Sequence, residues 1–337
     1  MRPFELLSPQ TIPDALSEGQ SHKESRYIAG GTNLIDLMKE DVERPRVLID
    51  IANLGMDEIS EMTGGGLRLG ASVSNADTAY HPLVQKRYPL LAEAILAGAS
   101  PQLRNMATNG GNMMQRTRCY YFYDTDTACN KREPGSGCAA KTGFNRIHAI
   151  LGHSEHCIAT YPSDMANALA ALDATLQLEG PGGERKLKLV DFHRLPGDTP
   201  EKDNNLKPGE LITAIELPPL GFAKHSAYLK IRDRQSYAFA LVAVAAALEL
   251  EDGKIQEARL TLGGVAHKPW RDQQAEALMR GQAPTAELFA QVAERVLAEA
   301  SGFDDNNFKI PLARKAIVRA LSMATEGRKD HDTPCYR

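Results

Sequence analysis

The hydrophobic positions come in short blocks whose period changes several times along the chain. Near the N-terminus "SRYIAG" and "RVLIDI" read as strands, with "TNLIDLMKE" between them as a helix, a compact β-α-β unit. "LRLGASVS" predicts a further strand, and in "YPLLAEAILAGAS" the apolar residues recur at helical spacing. Ser163 stands where it would cap the Ala/Leu-rich helix that begins in "PSDMANALAALDA". "TLQLEGPGGERKLKLVDF" reads as a hairpin around a Gly-Pro-Gly-Gly turn, "DTPEKDNNLKPGE" as a polar loop, and "LITAIELP" as another strand. From Phe222 the pattern changes. Long strands, "KHSAYLKIRD" and "ALVAVAAALELEDGKIQEARLTLGGVA", surround an Asp-Gly turn, and helical segments follow in "WRDQQAEALMRG", "TAELFAQVAERVLAEA" and "IPLARKAIVRALSMA". A sheet followed by helices predicts a separate α+β domain.

These shifts divide the chain into residues 1–53, 54–221 and 222–325, with a flexible tail at 326–337. A length of 337 residues accommodates two or three cores. The net charge of −4, with no dense Lys/Arg stripe, argues against nucleic acid as a partner. The longest apolar run, "AFALVAVAAALEL", is too short and Ala-rich to span a bilayer. "MRPFELLSPQTIPDAL" lacks the parts of a signal peptide, which by itself points to the cytoplasm.

Two glycine pairs carry candidate chemistry. "AGGTN" (Ala29, Gly30, Gly31, Thr32, Asn33) follows a strand and opens a helix, and "TNGGN" runs from Thr108 through Gly110 and Gly111 to Asn112. Paired glycines let the main chain approach a ligand, and successive N–H groups suit phosphate oxygens. Each pair alone reads equally as a tight turn, and neither is a dinucleotide fingerprint or a Walker loop. Two such loops in adjacent α/β units suggest a diphosphate held between them.

Four of the five cysteines, Cys119, Cys129, Cys138 and Cys157, crowd around the Gly- and Pro-rich insertion at about 115–158. Four thiolates satisfy zinc or an iron–sulfur cube, although the spacing is not that of zinc ribbons. His148, His153 and His156 are potential substitutes for a thiolate, and unligated thiols are the simpler alternative. Tyr120, Tyr121, Phe122 and Tyr123 would give Cys119 an apolar wall. Cys335 stands alone in the tail. Asp164 reads as a first-turn acid or as an acceptor for sugar-type hydroxyls, and Lys230 as a solvated strand lysine or as a cation facing a reduced flavin.

In this order, "AGGTNL", "TNGGN", "PSDMANALAALDA", "ELITAIELP" and "YLKIRDRQSYAFALVAVAAAL" resemble the FAD-binding subunits of the xanthine dehydrogenase family of molybdenum hydroxylases, over residues 1 to about 325. The cysteine insertion is similar to that of 4-hydroxybenzoyl-CoA reductase and of the bacterial periplasmic aldehyde oxidoreductases, where it carries a [4Fe–4S] cluster. The resemblance implies an α+β protein: a two-subdomain FAD-binding domain of the PCMH/vanillyl-alcohol-oxidase type, then an α+β domain of the CO-dehydrogenase flavoprotein type. It implies that Ile28 to Leu34 and Thr108 to Asn112 hold the FAD pyrophosphate and its surroundings. Asp164 would meet the ribityl hydroxyls, Ile215 would pack near the isoalloxazine, and Lys230 would lie at the ring's polar edge. The redox chemistry is on the FAD, with no catalytic side chain of the chain's own. Cys119, Cys129, Cys138 and Cys157 would ligate the cluster.

The same resemblance implies an electron-transfer subunit of an aldehyde oxidoreductase, in a heterotrimer with a large molybdopterin subunit and a small [2Fe–2S] subunit, passing electrons to an external acceptor. NAD is not expected as that acceptor. Co-export with a signal-bearing partner would place the complex in the periplasm. Two other readings are a stand-alone FAD-dependent oxidase and a zinc-stapled structural subunit.

Overall fold

The computed structural model describes residues 1–328, so the expected tail and Cys335 lie largely or wholly outside the described residues. The N-terminal unit is a three-stranded parallel sheet in the order β1-β3-β2: β1 (Glu5–Leu7), β2 (Ser25–Ile28) and β3 (Val47–Asp50). Helices α1 (Ile12–Ser21) and α2 (Leu34–Lys39) make the crossovers that parallel neighbours require. The predicted β-α-β unit is present. β1 and α1, which were not anticipated, extend it; α1 is capped by Thr11, whose side chain accepts from the Asp14 N–H.

The second sheet is antiparallel and five-stranded, in the order β4-β5-β8-β6-β7. Its strands are β4 (Ile59–Glu61), β5 (Leu67–Gly70), β6 (Thr175–Gly180), β7 (Gly183–Lys188) and β8 (Leu211–Leu217). The β6–β7 pair is the predicted hairpin, and β6 alternates so that Leu176 and Leu178 enter the core. Between β5 and β6 run seven helices and the cysteine-rich insertion: α3 (Asn75–Tyr80), α4 (Pro82–Arg87), α5 (Pro89–Ala97), α6 (Pro101–Met106), α7 (Asn109–Met114), α8 (Tyr120–Tyr123) and α9 (Asp164–Ala171). Proline opens α4, α5 and α6, where a missing N–H costs nothing and the fixed φ suits a helix start.

The C-terminal sheet has the order β12-β11-β10-β9, from β9 (Ser226–Ile231), β10 (Val242–Glu251), β11 (Lys254–Gly263) and β12 (Trp270–Arg271). Asp252 and Gly253 both take positive φ at the β10–β11 turn, the geometry a two-residue hairpin favours. Helices α10 (Gln273–Met279), α11 (Ala286–Val296) and α12 (Lys309–Glu326) cover one face. The apolar run in β10 is explained by burial on both sides. Val242, Val244, Ala246 and Leu248 join the core under these helices, whereas Ala245 and Ala247 belong to the core that contains α5 and α9. Only small side chains let a helix approach that second face.

Helix α9 is enclosed by α5, α7 and strands β10, β11 and β12, and it shares a core with the five-stranded sheet. The Ser163 side chain caps it by accepting from the Ala166 N–H at 2.9 Å. Thr261 of β11 donates to the Asn167 carbonyl at 2.7 Å, and Arg271 donates to the Ala170 carbonyl at 2.9 Å. Enlarging the interface residue Ala245 to Leu is expected to lower the unfolding free energy by about 1–3 kcal/mol through overpacking. Urea titration of the two proteins measures this, and an unchanged midpoint would count against the tight β10–α9 contact.

Candidate cofactor cleft

The two glycine loops form opposite walls of a cleft of about 990 Å³, at the upper end of the roughly 300–1,000 Å³ of small-molecule sites. Ile28, Ala29, Gly30, Gly31, Thr32, Asn33 and Leu34 line one wall, and Thr108, Gly111 and Asn112 the other. Gly30 lies so close to α6 that a Cβ there would fall 1.7 Å from the Met106 carbonyl oxygen. Gly31 has φ of 68°, a left-handed conformation that side chains resist. The loops are therefore close enough for both to reach one extended ligand.

Polar side chains fix the second loop from behind. Thr108 accepts from the Gly111 N–H at 3.2 Å and caps α7. Asn109 is fully buried; it accepts from Asn75 and Thr78 and donates to the Gly70 carbonyl. Asn112 accepts from Ser163 at 2.6 Å and donates to Asn75 at 2.7 Å, which ties the loop to the start of α9. On the other wall, Asn33 leaves α2 without a side-chain cap and instead bridges to the insertion. It accepts from the Arg116 N–H at 2.8 Å and donates to the Tyr123 hydroxyl at 3.2 Å.

Asp164 and Lys230, drawn from different domains, meet at the cleft. The Lys230 ammonium donates to Asp164 at 2.7 Å and to the Ala97 carbonyl at 3.1 Å, and the Tyr228 hydroxyl donates to Asp164 at 2.7 Å. The two charged side chains are 9 % and 4 % exposed. Burial and the adjacent carboxylate push the Tyr228 hydroxyl well above its usual range, so it stays a donor.

Two expected residues do not line the cleft. Gly110 donates its N–H to the Ala71 carbonyl at 2.8 Å and packs on Ala71. Ile215 is fully buried in β8, paired with Leu69 and Leu176, in a strand buried on both faces over most of its length. Residues that sequence reasoning did not single out complete the walls: Arg104, Arg118, Tyr237 and Phe239. The Arg118 guanidinium lies 5.2 Å from the Phe239 ring centroid. For Tyr237 and Phe239 the available signal was "RDRQSYAF", arginines and aromatics in a polar link between two strands.

The insertion requires a correction. Cys119, Cys129, Cys138 and Cys157 border one small space of about 10 Å³, room for about one water. Among the described residues no group of three or more Cys, His, Asp or Glu is arranged to hold a metal ion. The residues therefore do not fit the expected [4Fe–4S] cluster, nor a zinc staple, and the metal-binding and iron–sulfur readings are withdrawn. Burial pushes the Cys119 thiol up to about 12 and Cys157 up to about 11, the range of neutral thiols. These cysteines pack with Leu37, Phe122, Ala140 and Ile158 as a small hydrophobic core. Of the candidate histidines, only His148 reaches a thiol, with Nε2 3.1 Å from Cys119 Sγ; His153 contacts Ser301, and His156 lies 3.7 Å from Asp198.

Polar contacts also hold the insertion, although the buried Nδ1 of His148 has no partner among the described residues. Asn130 accepts from the Gly135 and Gly137 N–H groups, and Arg132 donates to the carbonyls of Tyr121 and Phe122. Asp203 accepts from Arg116 and from buried Lys131, both at 2.6 Å, and the His267 Nε2 lies 3.3 Å away. Burial opposes its charge, but His267, Arg116 and Lys131 together hold the Asp203 carboxyl well below its usual range.

Residues 2–220 match the model of the FAD binding domain in molybdopterin dehydrogenase, and residues 227–324 that of the CO dehydrogenase flavoprotein C-terminal domain. The chain belongs to this family. It is an FAD-binding subunit built like those of multi-subunit oxidoreductases, with the expected two-part α+β architecture. It is 49 % identical to the aldehyde oxidoreductase FAD-binding subunit PaoB of Escherichia coli, over 96 % of this chain and 99 % of that one. The glyceraldehyde dehydrogenase medium chain of Sulfolobus acidocaldarius is 27 % identical over 95 % and 96 % of the two chains. A solved chain of carbon monoxide dehydrogenase from Hydrogenophaga pseudoflava superposes with a TM-score of 0.76 at 25 % identity, covering 96 % of this chain and 98 % of that one. FAD suits the cleft: both glycine loops border it with main chain, and Thr32, Asn33, Arg104 and Ser163 add polar groups to its lining.

Two outcomes test this geometry. Gly30→Ala, which must push the loop away from Met106, is expected to weaken FAD binding roughly tenfold or more, read by quenching of flavin fluorescence. His193 donates to the Met113 carbonyl at 3.0 Å and so supports α7. Burial lowers its imidazole from 6.5 to about 3, so the unfolded chain takes up a proton that the native chain refuses. The resulting stability is complete above pH 6.5 and is lost as pH falls toward 3. His193→Gln, which keeps a donor, is expected to reduce the loss between pH 7 and pH 5 by about 2 kcal/mol, measured by guanidinium unfolding at both pH values.

Proposed function

We propose that this chain is the electron-transfer flavoprotein of a molybdenum-containing aldehyde oxidoreductase. A large molybdopterin subunit oxidises the aldehyde, a small [2Fe–2S] subunit relays electrons, and the FAD held here passes them to an external acceptor. The carrying observation is the pair of glycine loops brought together by the contact of Gly30 with Met106, beside the Asp164–Lys230 pair. Near-full-length similarity to a subunit named for aldehyde oxidation supports the choice of substrate class. Assembly as a heterotrimer and export with a signal-bearing partner belong to the same reading.

When bound, FAD supplies the redox chemistry. The chain's own work is to grip the nucleotide with main-chain groups and to keep a fixed cation, Lys230, at the cleft. Lys230 is held by Asp164 and the Ala97 carbonyl, so it does not need to move when charge on the ligand changes.

The purified chain is expected to bind one FAD, and an aldehyde is expected to bleach the flavin spectrum only when the two other subunits are present. Bleaching by aldehyde with the chain alone would favour the stand-alone oxidase. Failure to bind FAD at all would sink both readings.

A further inference from the structure

Helix α5 ends at the cleft, and its last carbonyls are taken by cations from two domains. Lys230 of β9 and Arg232 just beyond it both donate to the Ala97 carbonyl, at 3.1 and 2.8 Å. Arg104 of α6 donates through Nη1 to the Gly98 carbonyl at 2.6 Å and reaches the Leu96 carbonyl at 3.4 Å. The next residue, Ala99, has φ of 50°, a strained conformation without glycine, and it lines the cleft.

Arg104 stands apart from the other two. It is only 8 % exposed and lines the cleft, yet no carboxylate pairs with it among the described residues. Among the described residues its Nε is enclosed without a partner, while Nη2 is not so enclosed and donates to no protein group. A nearly buried guanidinium with one edge fixed on carbonyls and the other uncommitted leaves a charge unmatched, and burying a charge without a partner is costly. The partner it lacks is an anion. Arg104 lies four residues before Thr108, in the segment whose Met106 carbonyl touches Gly30, so the anion it can meet is at the diphosphate end of the cleft.

We propose that Arg104 binds an anionic oxygen of the FAD diphosphate through Nη2, while Nη1 holds the Leu96–Gly98 turn in place. This rests on the reading of the cleft as an FAD site. The guanidinium geometry suits phosphate oxygens, and a charge-assisted contact of this kind is lost when the fork is removed.

The test compares FAD and riboflavin, which lacks the phosphates, on the full chain stripped of flavin. Arg104→Gln is expected to weaken FAD binding roughly ten- to a hundredfold while leaving riboflavin affinity within about twofold of the parent, in line with removal of a single charged contact. Arg104→Lys, which keeps the charge but not the fork, is measured beside it in case the glutamine variant does not fold, and is expected to lose FAD affinity in the same selective way. Unchanged FAD affinity in a folded variant overturns the proposal, as does equal weakening of FAD and riboflavin, which would mark Arg104 as structural only. Failure of the unaltered chain to bind FAD would instead remove the FAD reading.

Discussion

The burial of α9 on every side is the constraint on which the rest depends. A helix with no face toward solvent must be narrow, and "DMANALAA" supplies that narrowness with alanines and one asparagine. Its backbone ends must also be satisfied within the protein, and partners come from both domains: Ser163 at the start, Thr261 and Arg271 further along. The small residues of β10 and the bare Cα of Gly263 are the complementary half of the same fit, since a side chain at Gly263 would press on Asn167. Because α9 begins with Asp164, fixing this helix also fixes the carboxylate that receives Lys230.

The cleft inherits its shape from main-chain proximity more than from large side chains. Gly30 lets one wall touch the other, and a network of short polar residues, Asn75, Asn109, Asn112 and Ser163, keeps the second loop from relaxing away. Such networks stiffen a site when every member is satisfied. Each of these amides has a partner. The result is a rigid rim around a long opening.

Much of this was legible in sequence because period and punctuation are local signals. The Gly-Pro-Gly-Gly turn marked the β6–β7 hairpin, the Asp-Gly turn marked the β10–β11 hairpin, and Ser163 marked the start of α9. β1 escaped notice because "FELLSPQ" is too short a block to show a period, and α1 because "IPDALSEGQS" buries only Ala15 and Leu16 and so carries almost no apolar stripe. The Lys230–Asp164 pair joins residues 66 positions apart, and neither environment advertises the other. The cysteines misled for a physical reason. Thiols are good ligands but also compact apolar groups, and crowding alone does not distinguish the two. Here Cys119, Cys129 and Cys157 are buried with aliphatic neighbours, which accounts for their presence in a segment otherwise short of core residues. Ile215 shows a similar limit: β8 is buried on both faces, so its apolar sequence does not tell which of its residues border a ligand.

Lys230 and Asp164 lie on opposite sides of the seam between the two matched domains. Neither half is electrostatically complete without the other: a free N-terminal half would leave an acid in its wall, and a free C-terminal half an ammonium over an apolar sheet. Replacing either half by one that lacks this acid or this base would leave a single unpaired charge buried at the seam. The seam thus couples the two domains by matched charge as well as by packing, and neither can relax away from it without exposing the other's cost.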